Sequence, residues 1–394
     1  MKQPGPSLRI QDVQSPVIPH MGSLIRQHPG SIGLGQGMVG YSPPPQILDA
    51  AREALSGQPW LHAYQHAAGL PALRQAFREK LSRENGLQDP GEETSTLVTA
   101  GSNMGFHHVV QAITDPGDEI ILLSPFYFNQ EMSVRIAGCR PVLVDTDSFY
   151  QPDPDRIRKS ITARTRAVVT ISPNNPTGAV YSGEMVRAIN DLCGQRGLYH
   201  IHDEAYEYFL YDGTEHASPL SFGGNRAFTI GLHSMSKAFG MAGWRIGFLT
   251  VPRALEASIL KIQDTVLINP TILSQHLALA ALQAGAGYCR QFLPELSALR
   301  AIFRNALQGQ GFLPQLVVPQ GAFYFLLQPR IPLDSLTCAE RLIREFGVGV
   351  IPGHAFGCSD CALRISFGSI DSVSAEEGMK RLVAGLGSLA RRNL

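Results

Sequence analysis

Hydrophobic positions follow two regimes along the chain. Short apolar runs with many β-branched residues recur at 96–99, 119–123, 141–144, 167–171, 198–201, 227–231 and 246–251. Most are continuous rather than alternating, as in strands covered on both faces. Helical periodicity separates several of them, most clearly at 106–113 and 183–196. Strands alternating with helices predict an α/β fold, with a mostly parallel sheet sandwiched by helices. Later in the chain the pattern changes. Helices are expected at 274–285, 293–308, 335–346 and 372–386, and strands at 322–327 and 363–367. That mix predicts a smaller α+β domain. The Gly- and Pro-rich opening segment is expected to join it or to lie across the cleft. The expected division is a large domain over 46–290 and a small domain built from 1–45 and 291–394.

Composition narrows the partners. The 394 residues are 44% hydrophobic and 17% charged, which suits a globular protein with a large core. Lys plus Arg number 33 and Asp plus Glu number 33. That balance gives no reason to expect nucleic acid or an anionic membrane as partner. Residues 1–18 carry Pro4, Pro6 and Pro16 without an apolar run, so they read neither as a signal peptide nor as a membrane span. The cytoplasm is the expected compartment. Six scattered cysteines suit reduced thiols. Cys358 and Cys361 form a lone C-x-x-C without the second pair that a closed zinc site needs, so no metal is expected.

The densest chemistry lies in Ser234-Met-Ser-Lys-Ala-Phe-Gly-Met-Ala-Gly-Trp-Arg-Ile-Gly247. Lys237 follows an apolar strand. A lysine at a sheet's carboxyl edge can be desolvated, which lowers its pKa and frees the amine to form a Schiff base. Ser234, Ser236 and Arg245 offer two hydroxyls and a forked cation to a phosphate dianion. The competing reading is a surface lysine after a strand, and the crowding of suitable groups argues against it. Ala100-Gly-Ser-Asn-Met-Gly105 follows a strand and opens a helix, where backbone N–H groups and the helix dipole can cradle a phosphate. Alone it could be an ordinary turn.

These strings resemble, in order, the motifs of class I aminotransferases among the fold-type I pyridoxal-phosphate enzymes. The resemblance runs from about Leu34 to Phe367. It implies pyridoxal 5′-phosphate as cofactor, attached to Lys237. It also implies that Gly101, Ser102 and Asn103 form the phosphate cup and that Tyr127, in Ser124-Pro-Phe-Tyr-Phe128, stacks on the cofactor ring. Asn175, in Ser172-Pro-Asn-Asn-Pro-Thr-Gly178, and Tyr206, in His202-Asp-Glu-Ala-Tyr206, are the implied donors to its phenolate oxygen. Asp203 is the implied partner of its pyridine nitrogen, in preference to a helix cap. Arg364, in Ala362-Leu-Arg-Ile-Ser-Phe367, is the implied grip on a substrate α-carboxylate, with a surface arginine on an edge strand as the alternative. Tyr64 matches a tyrosine that crosses a homodimer interface to the phosphate. Gly37 matches a glycine that touches the substrate carboxylate, but Met38, Val39 and Gly40 depart from the acidic-Pro-Asp pattern that follows it.

The implied function is ping-pong transfer of an amino group from an L-amino acid to a 2-oxo acid, with Lys237 as both base and acid. Other reactions of the same cofactor on the same fold, such as β-elimination, C–S cleavage or oxygen-dependent amino-acid oxidation, stay open at this stage. A non-catalytic regulator is a weaker rival. Large neutral donors are expected first and basic ones second. Aspartate is expected to be poor, because Asn103 stands where one subgroup carries a lysine and Asp264 lies near the place of another subgroup's arginine.

Overall fold

The computed structural model describes residues 5–57, 59–89 and 91–391. The ends of the expected small domain, and Pro4 of the opening segment, therefore lie partly outside the described residues. The first strand, β1 (Ile32–Gly33), belongs to the chain's opening segment. The central sheet then uses β2 (Thr94–Thr99), β3 (Glu119–Ser124), β4 (Arg140–Asp145), β5 (Thr165–Ile171), β6 (Tyr199–Asp203), β7 (Thr229–Ser234) and β8 (Gly247–Pro252). Their order is β2-β8-β7-β6-β5-β3-β4. Only β8 runs against its neighbours. The other strands therefore all end on the same edge, where ligands of open α/β sheets bind. Strands β2, β3 and β8 are buried along their whole length, while edge strand β4 is partly exposed. This is why the inner runs read as continuous.

The smaller part carries β9 (Tyr324–Leu327), β10 (Val348–Gly349), β11 (Ile351–Pro352) and β12 (Leu363–Ser366). Strand β12 lies between β11 and β9, antiparallel to both. Strand β1 pairs with β10 in parallel, which ties the opening segment to this part of the chain. The long helix Ser372–Arg391 packs against Leu293–Leu307 and Ser335–Phe346 through buried Ala375, Met379, Leu382 and Leu386.

Several boundaries move for local reasons. The strand expected at 227–231 begins only at Thr229, because 223–228 form a 3₁₀ turn that Thr229 Oγ1 closes onto the Asn225 carbonyl. The helix expected from 106 begins at Ser102, since Gly101 turns the chain directly out of β2. The helices Val17–Gln27 and Glu256–Val266 were not expected; each buries only a few side chains. Among the described residues no helix is long and apolar enough to cross a membrane.

Candidate active site

The carboxyl ends of β2, β3, β5, β6 and β7 each deliver a polar group to one cavity of about 120 Å³, while edge strand β4 does not reach it. Strand β2 hands over to Gly101 (φ 81°) and the N-terminus of helix Ser102–Ile113. The positive backbone angle of Gly101 demands glycine, and a Cβ there would also displace the Arg245 guanidinium, which would lie 2.4 Å from it. Strand β3 leads to Tyr127, β5 to Asn175, β6 ends on Asp203 and β7 on Ser234, one turn before Lys237. Ser102, Asn103, Tyr206, Ser236 and Arg245 complete the polar lining.

The electrostatics follow from burial. Desolvation lowers the Lys237 amine to about 8, helped by the nearby positive charges of Arg364 and Arg245. The ammonium donates to the Gly37 carbonyl, which places Gly37 beside it. Burial pushes Asp203 up to about 6, against the pull of the bonds that it accepts from Ala205 N (3.1 Å) and Gln130 Nε2 (3.0 Å). The site therefore holds a carboxyl group short of a counter-charge. Tyr127 Oη accepts from Asn129 Nδ2 (2.7 Å) and Asn103 Nδ2 (3.5 Å). Ser234 caps the short helix that bears Lys237, its Oγ accepting from Ser236 N at 3.1 Å.

Arg364 is not a surface residue on an edge strand. It is 2% exposed on the central strand of its sheet. Its Nη1 donates to Asn175 Oδ1 (2.9 Å) and its Nη2 to the Gly35 carbonyl (2.8 Å). The guanidinium lies 4.5 Å from the Tyr324 ring and 5.0 Å from the Phe356 ring. Among the described residues, its buried Nε has no hydrogen-bond partner. Asn175 Nδ2 reaches Tyr206 Oη (3.4 Å), and Tyr206 Oη pairs with Tyr324 Oη (2.8 Å).

Sequence reasoning missed Gln130, Tyr324, Phe356 and the Gly35 carbonyl. Gln130 had a signal, its i+3 spacing from Tyr127 at the start of helix Phe128–Ile136. Tyr64 is not part of the cavity. It is 82% exposed on this chain. His202 and Glu204 face away from the cavity, His202 onto Thr170 and Glu204 into a cluster with His216, Ser218 and Asn85. Glu204, Glu207 and His216 present ligand atoms within 4.8 Å of one another, but the Lys80 ammonium already sits on Glu207. Cys358 and Cys361 are both free thiols; Cys361 is buried and its partner is Cys338 rather than Cys358. A wider groove of about 700 Å³ beside Phe312 and Arg330 is lined, among the described residues, by no acid, thiol, hydroxyl or imidazole.

The comparisons agree with this geometry. Residues 29–382 match the family model for aminotransferase class I and II. The chain is 37% identical over 339 residues to the aspartate/prephenate aminotransferase of Thermus thermophilus, covering 84% of this chain and 86% of that one. It is 31% identical to the aromatic aminotransferase ISS1 of Arabidopsis thaliana, covering 98% of each. A solved single mutant of Thermus thermophilus aspartate aminotransferase superposes with a TM-score of 0.88 at 34% identity, over 97% of this chain and 100% of that one. With the cavity at the sheet's carboxyl edge, these likenesses establish that the chain belongs to the class I and II aminotransferases, which transfer amino groups with pyridoxal 5′-phosphate.

Proposed function

We propose that this chain binds pyridoxal 5′-phosphate in the 120 Å³ cavity and uses it to move an amino group from a large neutral L-amino acid to a 2-oxo acid. The observation that carries the reading is one cavity holding a lysine with a lowered pKa, a carboxyl group without a counter-charge and an anion cradle. The donor set suits the cofactor. Backbone N–H groups at Ser102 and Asn103, the Ser234 and Ser236 hydroxyls and Arg245 suit its phosphate. Asp203 suits a protonated pyridine nitrogen, and Asn175 and Tyr206 suit its ring oxygen. Tyr127 takes the stacking place.

When bound, the cofactor supplies an electron-withdrawing ring that acidifies the Cα–H of the substrate. Arg364 holds the substrate α-carboxylate, with the Gly37 backbone beside it. Lys237, as a neutral amine, would anchor the cofactor through its aldehyde carbon, and its Nζ, once free, would carry the substrate's Cα proton to that same cofactor carbon. Asp203 would pair its carboxylate with the cofactor's ring nitrogen and hold that nitrogen protonated. The cycle then runs in reverse with a second oxo acid, in ping-pong fashion.

Large neutral donors are favoured because the cavity's cations, Lys237 and Arg245, and the adjoining Arg364 already have partners in this scheme. Among the described residues of the lining, none is left for a side-chain carboxylate, and Asn103 offers an amide there. Basic donors come second, with exposed Asp264 as a candidate partner. The printed names of the relatives include both aspartate and aromatic aminotransferases, so the donor must be measured. We further propose a homodimer working in the cytoplasm, with a large domain over 46–290 and a small one from 1–45 and 291–394. Exposed Tyr64, Leu48 and Leu55 support the dimer, and six free thiols suit a reducing compartment.

The test is a panel of aspartate, methionine, phenylalanine and arginine against several oxo acids, following both products, with light scattering alongside. An oxo acid formed without an equal amount of new amino acid rejects transamination. Aspartate at the head of the panel rejects the donor class, and a fully active monomer rejects the dimer.

A further inference from the structure

Tyr324 belongs to none of the recognised motifs, yet it touches three groups of the site. Its hydroxyl pairs with Tyr206 Oη at 2.8 Å. Its ring lies 4.5 Å below the Arg364 guanidinium. A Cβ built on Gly37 would fall 2.3 Å from its hydroxyl, so Gly37 is the residue that lets the opening segment lie against this phenol.

Hydrogen-bond accounting separates the two possible directions of this contact by what each leaves over. A hydroxyl has one hydrogen and two lone pairs. Asn175 Oδ1 is taken by Arg364, which can only donate. Asn175 must therefore turn its amide hydrogens toward Tyr206, where Nδ2 lies 3.4 Å from Oη. That fills one lone pair of Tyr206. Burial keeps the phenols of both Tyr206 and Tyr324 protonated, so each has a hydrogen to place. Among the described residues, Tyr206 is the partner found for the Tyr324 hydroxyl. If Tyr324 donates, both Tyr206 lone pairs are filled, and the one remaining hydrogen of Tyr206 must face the cavity that Tyr206 lines. If the bond ran the other way, Tyr206 would turn its hydrogen out of the site.

We propose that Tyr324 is a positioning residue: its hydroxyl donates to Tyr206 and aims the Tyr206 hydrogen into the cavity, while its ring holds the Arg364 guanidinium in place for a carboxylate. The inference rests on the proposed roles of Tyr206 and Arg364. It deepens them by joining the cofactor's ring oxygen and the substrate's carboxylate through one side chain. The two arms separate chemically, since Tyr324→Phe removes the hydroxyl and keeps the ring, while Tyr324→Met removes both and keeps apolar bulk.

The experiment uses the holoenzyme. The first reading is the pH midpoint of the visible absorbance of the bound cofactor. The second is the dissociation constant of 3-phenylpropanoate, a carboxylate with no amino group to react, followed by its spectral shift. A weaker donor leaves the ring oxygen more basic, so Tyr324→Phe raises the midpoint by about half a pH unit or more. Its affinity for 3-phenylpropanoate stays within about twofold, because the cation–π face remains. Tyr324→Met weakens that affinity about tenfold, as expected for losing a desolvated cation–π contact. Should Tyr324→Met not fold, Phe356→Met tests the second ring against the same guanidinium, with the same expected weakening and no change in the midpoint. An unshifted midpoint in Tyr324→Phe overturns the hydroxyl's role. Unchanged affinity in the methionine variant overturns the ring's. A wild-type protein without any pH-dependent visible band overturns the cofactor reading itself, a different outcome from a titrating wild type with unresponsive variants.

Discussion

Replacing Arg364 by lysine keeps the charge and removes the fork, so it isolates what the guanidinium geometry contributes. The guanidinium has five N–H groups. One on Nη1 holds Asn175 Oδ1 and one on Nη2 holds the Gly35 carbonyl. The others, including the Nε hydrogen without a partner among the described residues, remain for a bidentate carboxylate. An ammonium has three hydrogens. If it serves Asn175 and Gly35, one is left, and the carboxylate loses at least one charge-assisted bond. Such a bond contributes about 1.5–3 kcal/mol, which is about 10- to 150-fold in affinity. Arg364→Lys should therefore lower kcat/KM by that factor for the amino donor and the oxo acid alike, because both carry the same carboxylate. The absorbance of bound cofactor should stay as in the wild type. Steady-state kinetics in both directions, with a spectrum of each preparation, make the check. A loss below about twofold, or one confined to a single half-reaction, would refute the assignment of this arginine to the carboxylate.

Other outcomes follow from the same geometry. The Lys237 amine should titrate near 8 in the cofactor-free protein, charged below and neutral above, so its labelling by acetic anhydride, read by mass spectrometry, should rise through that pH; labelling with the midpoint of an exposed lysine contradicts the burial argument. Borohydride reduction of the holoenzyme should mark the same residue. Asp203→Asn keeps an oxygen for Ala205 N and loses the charge, so circular dichroism should be unchanged while turnover falls about a hundredfold or more. Lys80→Met leaves the largely buried Glu207 carboxylate with Asn85 but without its cation, and should cost about 3 kcal/mol in urea denaturation with little effect on KM.

The sequence showed the groups that are carried on strand ends and hid those that work through contact. Lys237, Asp203 and Asn175 each sit at the end of an apolar run in a short string of unusual composition, so position and chemistry could be read together. Tyr324 lies inside a buried run, Phe323-Tyr-Phe-Leu326, where an aromatic residue looks like core, and its partner Tyr206 is 118 positions away. The Gly35 carbonyl is backbone and carries no side-chain mark at all. Arg364 could be read as surface or site until the order of its sheet was known, because alternation says which face a residue takes but not whether that face is covered. The same limit applies to Gln130, whose hydrogen bond to Asp203 joins a helix to a strand 73 positions away.

The shared direction of the parallel strands has a consequence for how this molecule tolerates change. Its chemistry hangs on one rim of the sheet, and the opposite rim carries turns that close the crossovers, such as the exposed Asp115-Pro-Gly117 before β3. A strand of six residues separates the two rims by about 20 Å. Insertions, peptide tags and neutral drift at the far rim are thus insulated from the reacting atoms, whereas each loop on the near rim can be rewritten to alter which substrate enters while the sheet beneath it stays the same. The fold separates a surface where variation is silent from one where it changes specificity.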